Sequence, residues 1–506
     1  MPNGHLPQYG PPVNAASTDG KSTAVQGTSL ASSVARAVQL RQTWAQAMSD
    51  EALLKELVGC ESPEVTIIGI AGLINGMYRG GQKLASLMHV APDLAARLAP
   101  ETSAYVEAIR PRIQKLLPYL LASRRHLGWR QREVDIELMR WVRRSCTLSL
   151  VLGAGISQGA GAPGWAELVK LLLQRALERG HEISHMVPAK DNPPVQPFTP
   201  TPKGEIILDM RAMGTTWSVE RGVVRVKRFT RKAEQQARAI LARLNLASLQ
   251  KRQANTEILM RGAQLCSNLY GQHMFTHLTG ILDRRAPQPS ETHRAIASLA
   301  GVQQVPGRGF VPGWESVITY NFENLMGEAF TEYKIPHAAW AMTHQGVRGA
   351  PDKLAKCIDA KKLGKDKDSW YVPIYHLHGF TPREPFLITD TRFVFSTKQY
   401  LDIYGDRKDG MIDRVLDQYL ANPVHIALYV GCSFADEYMN ELLRQAAERY
   451  PGRWHYAILK WPEDRNGRLP GPDEISENSA KYLKFGVQPI WVDDFEEIPP
   501  IVRSLK

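Results

Sequence analysis

The sequence predicts a doubly wound α/β domain with a mostly parallel sheet, an inserted helical cap and an all-helical segment in front of it. Three observations carry this. Short apolar runs recur at residues 147–152, 316–320, 372–377, 424–430 and 454–459, with 487–492 as a further member of the sheet. Helical patterns separate several of them, the alternation expected of strand-crossover-strand units. Four of the runs also exit into glycine or small polar residues, as loops at the carboxyl edge of such a sheet do.

Composition sets the bounds. With 506 residues, 43% of them apolar, the chain has material for two to four domains at about 150 residues each. Residues 1–28 are rich in Gly, Pro, Ser, Thr and Ala and carry no secretory pattern, so they read as a disordered tail. Residues 29–144 read as helical, with Val34, Val38, Leu53, Leu54, Leu57, Leu116, Leu117, Leu120 and Leu121 at stripe spacing. The apolar stretch 65–78 is too short for a bilayer, which needs about 20 residues, and reads as a buried helix; no membrane span is expected.

Five dispersed cysteines (Cys60, Cys146, Cys266, Cys357, Cys432) include no Cys-x-x-Cys pair. They cannot build a four-thiolate zinc cage, and they fit a reducing, cytoplasmic setting. A net charge of +11 is compatible with a polyanionic partner. The densest basic stretch, 221–232, alternates with apolar residues as a half-exposed strand or hairpin would, and no nucleic-acid motif accompanies it.

From residue 145 onward the α/β pattern takes over. The first run enters a glycine-rich turn and is followed, after Pro163, by a helical stretch over 166–179. Residues 181–290 read as an insertion: a Pro-rich loop, two strand-like runs near Ile206 and Val223, and a long helical pattern over 232–282 forming a cap.

The strand exits hold the polar residues. They are Gly153-Ala-Gly-Ile-Ser157, Thr319-Tyr-Asn-Phe-Glu323, His376-Leu-His-Gly379 and Gly431-Cys-Ser-Phe434. Each has a structural alternative. Gly153 and Gly155 could make a tight turn, and Gln158 breaks the dinucleotide fingerprint. Asn321 could cap a helix over 323–330, and Ser433 the helix that follows it. His376 and His378 are spaced to share a strand face, where histidine is often a structural hydrogen-bonder. The coincidence of four such exits at one sheet edge favours a ligand site.

In this order the motifs resemble the sirtuin-like NAD-consuming domain of the silent information regulator family, in particular its bacterial antiphage-defence branch. Gly153-Ala-Gly-Ile-Ser157 is similar to the family's Gly-Ala-Gly-x-Ser, Gly161-Ala-Pro-Gly-Trp165 to Gly-x-Pro-x-Trp, Thr319-Tyr-Asn-Phe-Glu323 to Thr-x-Asn-x-Asp, His378-Gly379 to the catalytic His-Gly, and Gly431-Cys-Ser433 to Gly-x-Ser. Residues 292–299 resemble the helix ahead of the Thr-x-Asn strand. Glu323 departs from the family's Asp, and the paired zinc cysteines of the deacylating members are absent.

The resemblance implies a Rossmann-like NAD-binding catalytic domain over 145–506. It implies NAD as substrate, no metal, Asn321 and His378 as catalytic residues, and Gly153, Ala154, Gly155, Ser157, Trp165, Thr319, Glu323, Gly431, Ser433 and Asp436 around the nucleotide. The expected reaction is hydrolysis of the nicotinamide-ribose bond, in an antiphage effector that forms a homo-oligomer and answers to a phage-derived trigger or partner defence protein. A deacylase or ADP-ribosyltransferase, and a non-catalytic nucleotide sensor or scaffold, are the alternatives.

Overall fold

A computed structural model describes residues 63–88, 92–145, 148–178, 231–249, 256–270, 274–305, 309–343, 346–351, 356, 368–381, 392–396, 399–400, 415–422, 425–434, 436–462 and 468–506, with strand pieces at 199–200, 206–207, 215–220 and 223–229. The expected tail at 1–28, the helical reading over 29–62 with Val34, Val38, Leu53, Leu54 and Leu57, the Pro-rich loop at 181–203 apart from residues 199–200, and part of the basic stretch 221–232 lie outside the described residues.

The run at Leu148–Leu152 is buried along its whole length, as a strand covered on both faces must be. Its one polar member, Ser149, is satisfied by the Ser316 hydroxyl at 3.0 Å. This strand, β1, lies inside an eight-stranded sheet with β2 (Val317–Thr319), β3 (His337–Thr343), β4 (Gly346–Pro351), β5 (Val372–His376), β6 (Ile426–Val430), β7 (His455–Lys460) and β8 (Val487–Val492). The order is β4-β3-β5-β2-β1-β6-β7-β8, and every pairing is parallel except β3 with β4. From β1 the chain winds to one side through β2, β3 and β5, then crosses to β6 and winds to the other. The winding reverses between β1 and β6, where doubly wound sheets place their ligands.

The helices are α1 (Pro63–Met88), α2 (Pro92–Arg125), α3 (Gln131–Ser145), α4 (Ala154–Gln158), α5 (Trp165–Glu178), α6 (Arg231–Leu249), α7 (Thr256–Tyr270), α8 (Met274–Arg285), α9 (Glu291–Ser298), α10 (Leu325–Glu332), α11 (Glu437–Arg449), α12 (Pro472–Leu483) and α13 (Ile498–Ser504). Alternation along each strand sends side chains to opposite faces. Leu148, Leu150 and Leu152 join one core with Val317, Ile374 and Leu428, under Phe330 of α10 and Ile498, Ile501 and Val502 at α13. Val151, Ile318, Ala427 and Tyr429 face the other way, onto Met439 and Leu443 of α11 and Ile475 of α12.

The described part of the N-terminal helical segment does not stand apart. Ile67, Ile70 and Ile74 of α1, Ile113 and Leu120 of α2, and Leu138 and Val142 of α3 belong to the same core as the first sheet face. The run at 65–78 is thus a buried helix, and no helix among the described residues is long and apolar enough to cross a membrane. A buried ion pair, Arg124 Nη1 to Asp135 Oδ1 at 2.8 Å, ties α2 to α3.

A third core gathers Leu172 and Leu173 of α5, Ala237 of α6, Ala263 and Cys266 of α7, and Leu278 of α8. This is the cap, and Phe322, Phe393 and Phe395 at the sheet edge insert into it. The single helical pattern expected over 232–282 is divided into α6, α7 and α8, and strands at Thr215–Glu220 and Val223–Phe229 pair as a hairpin before them.

Candidate active site at the sheet edge

Register explains why four motifs converge. Leu152 of β1 pairs with Thr319 of β2 and with Val430 of β6, and Thr319 pairs with His376 of β5. Four neighbouring strands therefore end in one row. The residues just past the row, Gly153, Tyr320, Leu377 and Gly431, open the four loops side by side.

The first and last of these loops are locked together. Gly153 N donates to Val430 O and Gly155 N to Gly431 O, both at 3.0 Å. A Cβ at Gly153 would meet Gly431 O at 2.4 Å, and one at Gly155 would meet Gly431 Cα at 2.9 Å. Both glycines are thus required by the close approach of another backbone. Both N–H groups are already used inside the protein, so a nucleotide lying around these glycines is not held by their amides. Gly431 itself sits at φ +70°, a conformation that favours glycine.

Asn321 is 6% exposed and reaches across into the first loop. Its Nδ2 donates to Gly153 O at 3.1 Å and to Ser157 Oγ at 3.0 Å, and the Ser157 hydroxyl donates to Glu323 Oε1. Its backbone is held from both sides: Asn321 N donates to Thr319 Oγ1 at 3.1 Å, and His376 Nδ1 lies 3.1 Å from Asn321 O. The alternative of Asn321 as a helix cap does not hold, because α10 begins at Leu325 with Asn324 at the cap position. Between Asn321 and Glu323, Phe322 points away into the cap, so that one chain segment anchors the cap and supplies the polar pair. Desolvation raises the Glu323 carboxyl above its ordinary range, opposed by its hydrogen bonds to Ser157, its own backbone and Asn321.

Beyond His376 the strand ends, so His378 does not share a strand face with it. His376 is 2% exposed, its ring centroid lies 4.2 Å from that of Phe380, and desolvation pushes it down to about 4. Its ring is used inside the protein, against the Asn321 carbonyl and the Phe380 ring. His378 packs instead edge-on against Tyr320 at 4.9 Å and Tyr400 at 6.3 Å. Desolvation lowers His378 to about 4, with the Asp436 carboxylate pulling upward. The turn that presents it depends on Gly379, at φ +111° against the Phe393 ring.

Asp436 caps α11 by accepting from Met439 N at 2.9 Å, and also accepts from Tyr400 Oη at 2.5 Å. It takes the capping role that Ser433 could have filled; Ser433 is exposed. Trp165 opens α5 with its ring 4.6 Å from Phe395, at the cap side of the edge. Ala154 begins α4, and Thr319 is buried beneath Asn321. Tyr320 and Tyr400, which flank His378, carry no motif; Tyr320 had a signal in its place beside Asn321, and Tyr400 had none.

A reversal of winding, a row of strand exits and a buried Asn-Ser-Glu cluster beside a histidine make this edge the candidate ligand site of a doubly wound α/β domain. Residues 315–483 match a family model described as a SIR2-like domain, so the chain carries a sirtuin-like domain. The match takes in Asn321, Glu323, His378, Gly431, Ser433 and Asp436, and starts beyond the Gly153 loop. SIR2-like domains use NAD, which sets the general chemistry. No curated protein matches the chain. Among the described residues, no group of three or more His, Cys, Asp or Glu is placed to hold a metal ion.

Proposed function

We infer that this protein is an NAD glycohydrolase, cleaving the nicotinamide-ribose bond to give nicotinamide and ADP-ribose. The observation that carries the reading is the state of the Asn321 amide. Gly153 O accepts only, so Nδ2 is the atom that faces it, and Nδ2 is engaged there and at Ser157, with the Glu323 carboxyl acting on the same amide. Asn321 Oδ1 makes no hydrogen bond among the described residues and is the group left for a ligand. A fixed acceptor suits the task, since positive charge grows on the ribose as the bond breaks, and an oriented dipole favours that state over the ground state.

His378 supplies the base. Held neutral by burial, it accepts a proton from the incoming water or a ribose hydroxyl at neutral pH. Nicotinamide leaves with the electron pair of the broken bond, the water oxygen bonds to the anomeric carbon, and its proton goes to His378. The Gly153 and Gly431 loops and Ala154 line the nucleotide, with Trp165 and Asp436 at its rim. The lack of Cys-x-x-Cys pairs supports water over a peptide acceptor, and with the Gly161-to-Trp165 motif it supports an antiphage role in which NAD is depleted on a phage-derived trigger.

The test is nicotinamide release from NAD by full-length protein, alone and with phage-infected lysate. Folded Asn321→Ala and His378→Ala are each expected to lose about 100-fold or more. Wild-type activity in both sinks the assignment. The rate is expected to fall on acidification through about 4, as His378 takes a proton and ceases to be a base.

A further inference from the structure

The geometry points to Glu323 as a positioning residue: its carboxylate accepts the hydrogen bond of the Ser157 hydroxyl, which turns the Ser157 lone pair to the Asn321 amide and leaves Asn321 Oδ1 facing the ligand. Its chemical role rests on the NAD-cleavage reading above; its geometry does not.

The chain of donors admits one direction. Gly153 O has no proton to give, so the Asn321 atom 3.1 Å from it is the NH2 group. The same nitrogen lies 3.0 Å from Ser157 Oγ, so the serine oxygen accepts there and must donate elsewhere. The group that accepts that hydrogen bond is Glu323 Oε1. Ser157 is 3% exposed and Asn321 6%, so this contact lies largely out of solvent. Without an acceptor at 323, the serine proton is free to turn towards Asn321 and the amide loses the contact that holds its donor end in the glycine loop. An amide rotated by half a turn would then offer N–H groups to a centre that is becoming positive.

Glu323 lies two residues past Asn321, on the far side of Phe322, which is anchored in the cap core. The carboxylate must span from there to Ser157, at the C-terminal half of α4. Glu323 makes that span, and its Oε1 accepts from Ser157 inside the protein.

The experiment uses the full chain, with NAD turnover and equilibrium NAD binding measured side by side for Glu323→Met, Glu323→Gln, Ser157→Ala and the Ser157→Ala/Glu323→Met pair. Expected for Glu323→Met is a fall in kcat of about 100-fold, with Kd for NAD moving by less than about threefold. Glu323→Gln, whose Oε1 still accepts from the serine hydroxyl, is expected to recover about tenfold of that loss, and the double variant to be no worse than the poorer single one. A Kd that weakens as much as kcat/KM falls, a Gln variant no better than Met, or additive losses would each overturn the proposal.

Two readouts stand apart from activity. Thermal unfolding of the same four proteins is expected to show non-additive Tm shifts, and a crystal structure of Ser157→Ala to show the Asn321 amide turned. If wild-type protein neither binds nor cleaves NAD, the NAD reading fails. The lock is then judged by the unfolding cycle and the amide orientation alone, and additive shifts with an unmoved amide refute it.

Discussion

At Gly155 an added Cβ would lie 2.9 Å from both Gly431 Cα and Gly431 O, contacts that real side chains essentially never make. Gly161 differs, since nothing lies within 4 Å of a Cβ there, and its φ of +88° alone favours glycine. Gly155→Ala is therefore expected to destabilise the protein by about 1–3 kcal/mol through backbone displacement, read as a lowered urea midpoint. A change below about 0.5 kcal/mol would show that the two loops part easily. The glycines, Asn321 and His378 were legible in the sequence as motif residues, but their physical roles were not. A pattern Gly-x-Gly reads as a phosphate cradle because nothing nearby indicates that Gly431, far along the chain, occupies the space. The direction of the Asn321 amide is fixed by the Gly153 carbonyl, a tertiary contact with no local trace.

Elements whose residues matched their secondary-structure propensity were placed almost to the residue. The strand at Ile426–Val430 is buried throughout, and an unbroken apolar run marks it. The strands β3 and β4 give little strand signal, because each is built from weak strand formers. β3 carries Ala338, Ala339 and Ala341, poor strand formers that are chosen because Phe380 packs against two of them. β4 holds two glycines and a proline, tolerable at the sheet margin where one side of the ladder needs no partner. Where α10 ends, Lys334 N donates to Thr331 O and Ile335 N to Phe330 O, with Ile335 and Phe330 both buried. This double closure places Lys334 at φ +57°, a position usually taken by glycine. Lys334→Gly is expected to stabilise by about 0.5–1 kcal/mol, since relief of the left-handed strain outweighs the added freedom of the unfolded chain. An unchanged or lower urea midpoint would count against it.

At the scale of the molecule, the buried histidines set the response to acid. Burial, and for His293 also the Arg294 charge, lowers His293 and His376 to about 4, and His455 is held well below its ordinary value. Between about 6.5 and 4 the unfolded chain takes up protons that the folded chain refuses, so the stability these groups contribute is complete above pH 6.5 and falls as pH drops. Glu323 and Asp135 act in the opposite sense, because desolvation raises both and the folded state holds their protons at higher pH. The histidines outnumber them. Urea midpoints are expected to decline from pH 7 to 5, and His293→Gln to flatten that decline by up to about 1.4 kcal/mol per pH unit. Glutamine still accepts from the Ser290 amide as His293 Nδ1 does, so the cap of α9 survives the change. A slope the same as wild type would refute this.

The overall plan was read correctly from the order of apolar runs, since each parallel strand needs its own crossover. The shared core of α1–α3 and the sheet was not, because stripe spacing shows that a helix has an apolar face without showing what covers it.

The common row in which β5, β2, β1 and β6 end has a bearing on how such a chain tolerates insertions and deletions. Losing a single residue inside one of these strands moves its exit by about 3.3 Å and turns every later side chain of that strand to the opposite face. A change of length between strands does neither. Length drift over generations is therefore expected to collect in the connections, while these four strands keep their residue count even where their residues change.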